Sequence, residues 1–186
     1  MKIVVLCGGD SPEREVSLVS GDAVAKALSK KHRVFKLDPA QKNFLKKLEQ
    51  LKPDCVFVAL HGGKGENGTI QGFLETLNIP YTGSGVCASA ICMNKIITKK
   101  ILMFHEIPTP DFVVVERNVV SEPPFGYPCV VKPANLGSTI GISIVKNVSE
   151  MKRSISKTFK LDSDVFIEKF INGKEITIGI IGNQHP

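Results

Sequence analysis

The sequence predicts an α/β protein in two units, an N-terminal parallel α/β domain followed by a mixed α+β one. Up to about residue 84, short apolar runs alternate with segments whose apolar residues recur at helical spacing, the pattern of a parallel sheet with helices packed on it. Two of those runs empty into glycine, at Gly8-Gly9 and Gly62-Gly63, as ligand loops do at the carboxyl ends of parallel strands. Beyond His105 the texture changes. Pro108, Pro110, Pro123, Pro124 and Pro128 punctuate short β-type runs with one helical segment among them, which points to a mixed or antiparallel sheet.

Taken in order, Ile3 to Cys7 reads as the first strand, and Val16, Val19, Ala23 and Ala27 as the apolar positions of a first helix. Arg33 to Leu37 is the second strand. A helix through Phe44, Leu45, Leu48 and Leu51 leads to the third, Cys55 to Leu60. Ile70, Phe73, Leu74 and Leu77 form the next amphipathic face, Tyr81 to Gly85 closes the unit, and the boundary falls near Ser84. Val86 to Met93 and Asn94 to His105 read as two helices leading away. Strands are expected at Phe112 to Val115, Cys129 to Lys132, Ile142 to Val145 and Val165 to Lys169, with a helix from Glu150 to Phe159. Glu175 to Ile181 is strand-like and Gly182-Asn183 turn-like. The division is 1–84, 85–172 and 173–186, without internal repeats or low-complexity segments.

The formal charge of +6 suits an anionic ligand such as a nucleotide and equally suits a solvated lysine-rich surface. Lys30-Lys31, Lys46-Lys47 and Lys99-Lys100 read as polar faces of helices. Trp is absent and no basic stripe is interleaved with aromatics, so nucleic-acid binding is disfavoured. The five cysteines form no C-x-x-C pair, and Cys7, Cys55 and Cys129 lie inside apolar runs, as reduced thiols do. The start leads straight into a strand and no run reaches membrane-spanning length, so a cytoplasmic protein without a membrane partner is expected.

Four segments carry possible chemistry. His61 to Gly72 follows a buried strand with five glycines, an imidazole and the Glu66 carboxylate, which suits backbone shaped to approach a small polar ligand; a long surface loop is the alternative. In Asp10-Ser11-Pro12-Glu13-Arg14-Glu15 the acids are either helix-capping groups or, as we favour for Glu13, ligand contacts. Lys132 at a strand end, followed by Gly137-Ser138-Thr139-Ile140-Gly141, offers a point charge, N–H groups and hydroxyls to phosphate without being a P-loop; a plain hairpin fits as well. Glu168 and Glu175 flank Phe170, Ile171 and a tight turn, an arrangement that suits a flat base and a ribose, although spacing alone favours hairpin surface charge.

Together these segments resemble the D-alanine:D-alanine ligases, enzymes of the ATP-grasp class. The resemblance rests on Gly8 to Ser17, the His61 to Gly72 loop, Pro80 to Ser84, Met93-Asn94-Lys95, Lys132-Pro133 with Gly137-Ser138-Thr139 and Gly141, and Glu168-Lys169 with Glu175. Two departures are Asn94, where an acid often stands, and Thr139, where serine usually repeats. The resemblance implies a Rossmann-like, pre-ATP-grasp N-terminal domain, an ATP-grasp central domain and the start of a C-terminal one. It implies that Glu13, Val16 and His61 meet the first D-alanine, and that Ser138 joins Glu13 in a catalytic relay. It further implies that Lys95 and Lys132 hold phosphates, that Glu168, Lys169 and Ile171 meet adenine, and that Glu175 takes the ribose. ATP and Mg2+ or Mn2+ are the implied cofactors, with metal ligands beyond Pro186, and a homodimer is the implied assembly. Ligases making D-alanyl-D-lactate or D-alanyl-D-serine, a nucleotide-dependent oxidoreductase using Asp38, and a non-catalytic fragment are the alternatives. The 186 residues alone are expected to fold in their first domain, bind ATP weakly and make no dipeptide.

Overall fold

The computed structural model describes residues 1–117, 122–180 and 182. Its first sheet has three parallel strands, β1 (Lys2–Leu6), β2 (Arg33–Leu37) and β3 (Cys55–Val58), in the order β2-β1-β3. Side chains alternate across central β1. Val4 and Leu6 join Leu37, Val56, Phe44, Leu48, Ile70 and Leu74 on one face, while Val5 and Cys7 join Ala59 on the other. Helices α2 (Phe44–Leu51) and α3 (Thr69–Thr76) supply the first face; α1 (Arg14–Leu28) covers the second through Leu18, Val24, Ala25 and Leu28. Each fully buried Leu or Val contributes roughly 1.5–3 kcal/mol by leaving water. Tyr81 adds a single parallel bridge to Val56, and Ser84 lies between it and the helix that begins at Val86.

Helix α1 corrects the sequence reading. Val16 and Val19 are exposed, at 57% and 71%, and the buried residues are Ser17 and Gly21. The helix lies so near β1 that a Cβ on Gly21 would stand 2.3 Å from that of Cys7. Only small residues fit there. Ser17 Oγ meets the polar demand of the contact, accepting from Gly8 N–H at 2.9 Å and donating to the Ala59 carbonyl at 2.7 Å.

Helices α4 (Val86–Met93) and α5 (Lys95–Phe104) follow, with Asn94 capping α5 by accepting from Ile97 N–H at 3.0 Å. The second sheet contains β4 (Phe112–Val115), β5 (Cys129–Pro133), β6 (Ser143–Val145) and β7 (Val165–Lys169) in the order β4-β7-β5-β6, with every pairing antiparallel. Helix α6 (Val148–Thr158) buries Met151 and Ile155 against it. At its start Asn147 accepts from Glu150 N–H at 3.0 Å, while the Glu150 carboxylate accepts from Asn147 Nδ2 at 2.9 Å.

The strand expected from Glu175 to Ile181 is not formed over 175–180, and the hairpin expected around Phe170 and Ile171 is absent with it. Ile176, Ile178 and Ile180 are 78%, 79% and 75% exposed. The alternation is strand-like, but no described strand lies beside it to complete a ladder. Ile181 and Asn183 lie outside the described residues.

Candidate active site

The loops leaving β1 and β3 face each other, as expected of two ligand loops at strand carboxyl ends. Ser11 Oγ donates to the His61 carbonyl at 2.5 Å, and Lys64 Nζ reaches Asp10 Oδ2 at 2.6 Å. Glu13 occupies the N-cap position of α1, yet its side chain makes no capping hydrogen bond. Its Oε1 instead accepts from Ser138 Oγ, on the loop between β5 and β6. That contact spans the two units and decides against the capping role. Gly62 and Gly137 flank the same carboxylate so closely that a Cβ on either would meet Glu13 Oε2, at 2.4 and 3.1 Å. A cavity of about 300 Å³ opens here, lined among others by Glu13, Gly62, Lys64, Asn135 and Gly137.

His61 stands with Nε2 3.1 Å from Ser20 Oγ and Nδ1 3.7 Å from the Glu66 carboxylate. It lines an adjoining cavity of about 530 Å³ with Ser20, Glu66 and Gln71, and Gln71 Oε1 is buried without a hydrogen-bond partner. Val16 lies on the first turn of α1 but lines neither cavity. A third space of about 490 Å³, between α2 and α3, is walled by Phe44, Leu45, Ile70 and Phe73 and contains neither Glu13 nor Ser138.

The loop from β5 to β6 is both a hairpin connection and a ligand-like loop. Its tip holds two consecutive non-glycine residues in the left-handed region, Ser138 at φ 50° and Thr139 at φ 65°. Such backbone costs roughly 1–3 kcal/mol per residue and gathers at functional loops. At the base of the loop, Lys132 Nζ donates to Glu168 Oε1. Glu168 Oε2 accepts from Lys99 Nζ at 2.9 Å. Glu168 is only 8% exposed, which overturns its reading as hairpin surface charge. Lys95 Nζ donates to the Leu136 carbonyl at 2.5 Å; burial, and then the charge of Lys132, lower its pKa below the usual lysine value. Lys95, Lys99, Lys132 and Glu168 line a cavity of about 240 Å³ with Phe166. Lys169, Ile171 and Glu175 are exposed and do not line it.

Two assignments change. Asp38, the acid an oxidoreductase would turn toward ribose, accepts from Arg14 at 2.6 Å and from the N–H groups of Gly9 and Ala40, each at 2.9 Å. Burial raises its pKa, but those hydrogen bonds outweigh burial and hold the carboxyl below the usual aspartate value. Its oxygens are occupied within the fold. Lys99, read as part of a polar helix face, is 6% exposed and bonded to Glu168 and to Thr109 Oγ1 at 2.7 Å. Its spacing of three from buried Ile96 was the one available signal.

Clustered lysines beside a buried carboxylate fit a nucleotide. Among the described residues no three His, Cys, Asp or Glu side chains group to hold a metal, so the implied magnesium has no ligand set among them.

Comparison with known proteins points to one family. Residues 36–84 match the family model described as D-ala D-ala ligase N-terminus, and residues 101–186 the one described as D-ala D-ala ligase C-terminus. The D-alanine--D-alanine ligase of Coprothermobacter proteolyticus is 48% identical over 97% of this chain and 62% of its own length. That of Aquifex aeolicus is 45% identical over 99% of the chain and 64% of its length. The crystal structure of the Bacillus anthracis enzyme superposes with TM-score 0.84 at 38% identity, covering 93% of this chain and 58% of that one. The same enzyme complexed with ATP gives TM-score 0.82 at 37% identity, over 93% and 60%. The chain thus spans about three-fifths of the length of these relatives. With both family models matched, and the site loops and both sheets in place, the chain belongs to the D-alanine–D-alanine ligase family.

Proposed function

We propose that this chain carries the first amino-acid site and much of the nucleotide site of an enzyme that joins two D-alanines at the expense of ATP, supplying a peptidoglycan precursor. The observation that carries the reading is Glu13. It is a carboxylate at a helix start that caps nothing and is held from the other unit by Ser138, at the mouth of a 300 Å³ cavity. A carboxylate so placed binds an ammonium group, and His61 and Glu66 border the adjoining space. Val16 is proposed to contact the methyl group of that D-alanine.

ATP supplies the phosphoryl group that converts the carboxylate of the first D-alanine into an acyl phosphate, releasing ADP, and the amine of the second attacks that carbonyl, loses a proton and expels inorganic phosphate. Phosphoryl transfer needs positioning and positive charge rather than a protein nucleophile. Lys132 and Lys95 provide that charge, and Ser138, on its strained loop, orients Glu13 and closes the site. Glu168 faces the adenine amine. Lys169 and Ile171 meet the base chiefly through backbone, and Glu175 takes the ribose hydroxyls. Magnesium or manganese, a cytoplasmic location and a homodimer belong to the same reading by family resemblance. No helix among the described residues is long and apolar enough to cross a membrane.

The test joins residues 1–186 to the part of the Coprothermobacter proteolyticus relative that the match leaves uncovered. D-alanine-dependent ADP release with dipeptide formation by the folded chimera is expected, and not with L-alanine. A folded chimera that releases ADP no faster with D-alanine refutes the reading, and one that makes only D-alanyl-D-lactate or D-alanyl-D-serine reassigns the second substrate.

A further inference from the structure

Glu168 is shared between two cations that differ in freedom. Lys132 lies on β5 and lines the 240 Å³ cavity, its side chain 23% exposed. The Lys99 side chain is 7% exposed and is fixed from three directions: by Glu168 Oε2 at 2.9 Å, by Thr109 Oγ1 at 2.7 Å, and by the Phe112 ring, whose centroid is 5.2 Å from Nζ. Elements α5 and β4 and the Thr109 segment before β4 therefore hold Lys99 in place, whereas nothing but Glu168 is bonded to Lys132 Nζ among the described contacts. An ammonium with one partner is easily redirected. One with an anion, a hydroxyl and an aromatic face is not.

We propose that Lys99 is a positioning residue of the nucleotide site: it keeps the Glu168 carboxylate paired and aimed when Lys132 leaves it for a phosphate. The proposal rests on the nucleotide reading of this cavity. With both lysines in place, release of Lys132 leaves Glu168 still paired, and Oε1 becomes free to accept from the exocyclic amine of an adenine. Without Lys99, Lys132 is the only cation among the described residues bonded to the buried Glu168 carboxylate. Moving Lys132 to the nucleotide would then strand that charge, so Lys132 stays and both the phosphate contact and the amine contact weaken. Lys99 thus links base selection to the phosphate grip without touching the nucleotide.

The experiment titrates the 186-residue chain with ATP and with ITP, which carries a carbonyl where adenine has its amine, following backbone amide shifts by NMR so that millimolar Kd values are measurable. The unsubstituted chain is expected to prefer ATP. Lys99→Met is expected to weaken ATP about tenfold or more and to collapse the ATP-to-ITP preference, while Lys99→Arg keeps most of both. Should Lys99→Met not fold, the comparison moves to the Glu168→Gln background, where the double variant lacks both charges. There, adding Lys99→Met is expected to change ATP affinity by less than about twofold. A full further loss in that background, or an intact ATP-to-ITP preference in folded Lys99→Met, overturns the proposal while leaving the nucleotide site standing. Absence of saturable ATP binding by the unsubstituted chain overturns the nucleotide reading and the proposal with it.

Discussion

Gly62→Ala probes the contact between the two units with the least chemistry. Gly62 sits at φ 67°, ψ 167°, a region that side chains all but exclude. An alanine there costs roughly 1–3 kcal/mol of backbone strain. The new Cβ would also stand 2.4 Å from Glu13 Oε2 and 3.4 Å from Glu13 Cδ, so the carboxylate must swing away. That movement breaks the hydrogen bond from Ser138. Because the contact is partly solvated, its loss adds only about 0.5–1 kcal/mol. The sum is about 1.5–4 kcal/mol, which in a domain of this size lowers Tm by roughly 3–16 °C. Gly83→Ala is the control, since Gly83 also has positive φ, 98°, but a Cβ there meets no heavy atom within 4 Å. Differential scanning calorimetry on both variants separates strain from clash, and D-alanine titration reports on Glu13. A Gly62→Ala chain that melts with the parent, or that loses no more than Gly83→Ala while binding D-alanine normally, would refute the placement of Glu13.

Lys132→Ala is expected to weaken ATP binding by about 1.5–3 kcal/mol, the usual worth of a charge-assisted contact, and unchanged affinity by calorimetry would remove Lys132 from the site. Glu13→Gln keeps shape but loses charge; since Glu13 makes no capping bond, Tm is expected to hold within about 1 °C while D-alanine affinity falls, and the reverse pattern would restore the capping role. Asp38 has a pKa held below its unfolded value, so its stabilisation is present above about pH 4 and lost as pH falls through the lower folded value. Asp38→Asn is accordingly expected to cost about 1–2 kcal/mol at pH 7, taking the low end because Arg14 is 39% exposed, and progressively less as the pH falls through the folded value. A penalty independent of pH in urea titrations would contradict that sign. Leu48→Ala, which empties a position 1% exposed between α2 and the sheet, is expected to cost about 2–5 kcal/mol by urea denaturation, and a loss below 1 kcal/mol would place the core elsewhere.

The elements were legible wherever period and punctuation agreed. Arg33–Leu37, Phe44–Leu51, Val86–Met93, Phe112–Val115 and Val165–Lys169 have the bounds that their apolar runs suggest. The facing of two helices was not. On α1 the apolar residues Val16 and Val19 point outward because the sheet approaches too closely for anything larger than Ser17 and Gly21. On α5 the run Ile97, Ile101 and Phe104 is exposed at 41%, 36% and 82%, while Ile96 and Lys99 are buried. Periodicity marks an apolar stripe, but it cannot see a cation drawn inward by a carboxylate 69 residues later. The burial of Glu168 was hidden for the same reason, since the cations paired with it, Lys99 and Lys132, lie 69 and 36 residues away. The pairing of Glu13 with Ser138, by contrast, was available from family resemblance and not from spacing, because 125 residues separate the two. The C-terminal alternation misled in the other direction: Ile176, Ile178 and Ile180 have strand period but no neighbouring described strand to bond with.

The measurement that bears most directly on the account is a pair of amide-resolved NMR titrations of the 186-residue chain, one with D-alanine and one with ATP. D-alanine is expected to shift the amides of Glu13, Gly62 and Ser138, with L-alanine leaving them in place, and ATP is expected to shift those of Lys132, Glu168 and Lys169. Shifts that fall instead around Phe44 and Phe73, or saturating ligand that moves neither set, would contradict the assignment of these two clefts as the amino-acid and nucleotide sites.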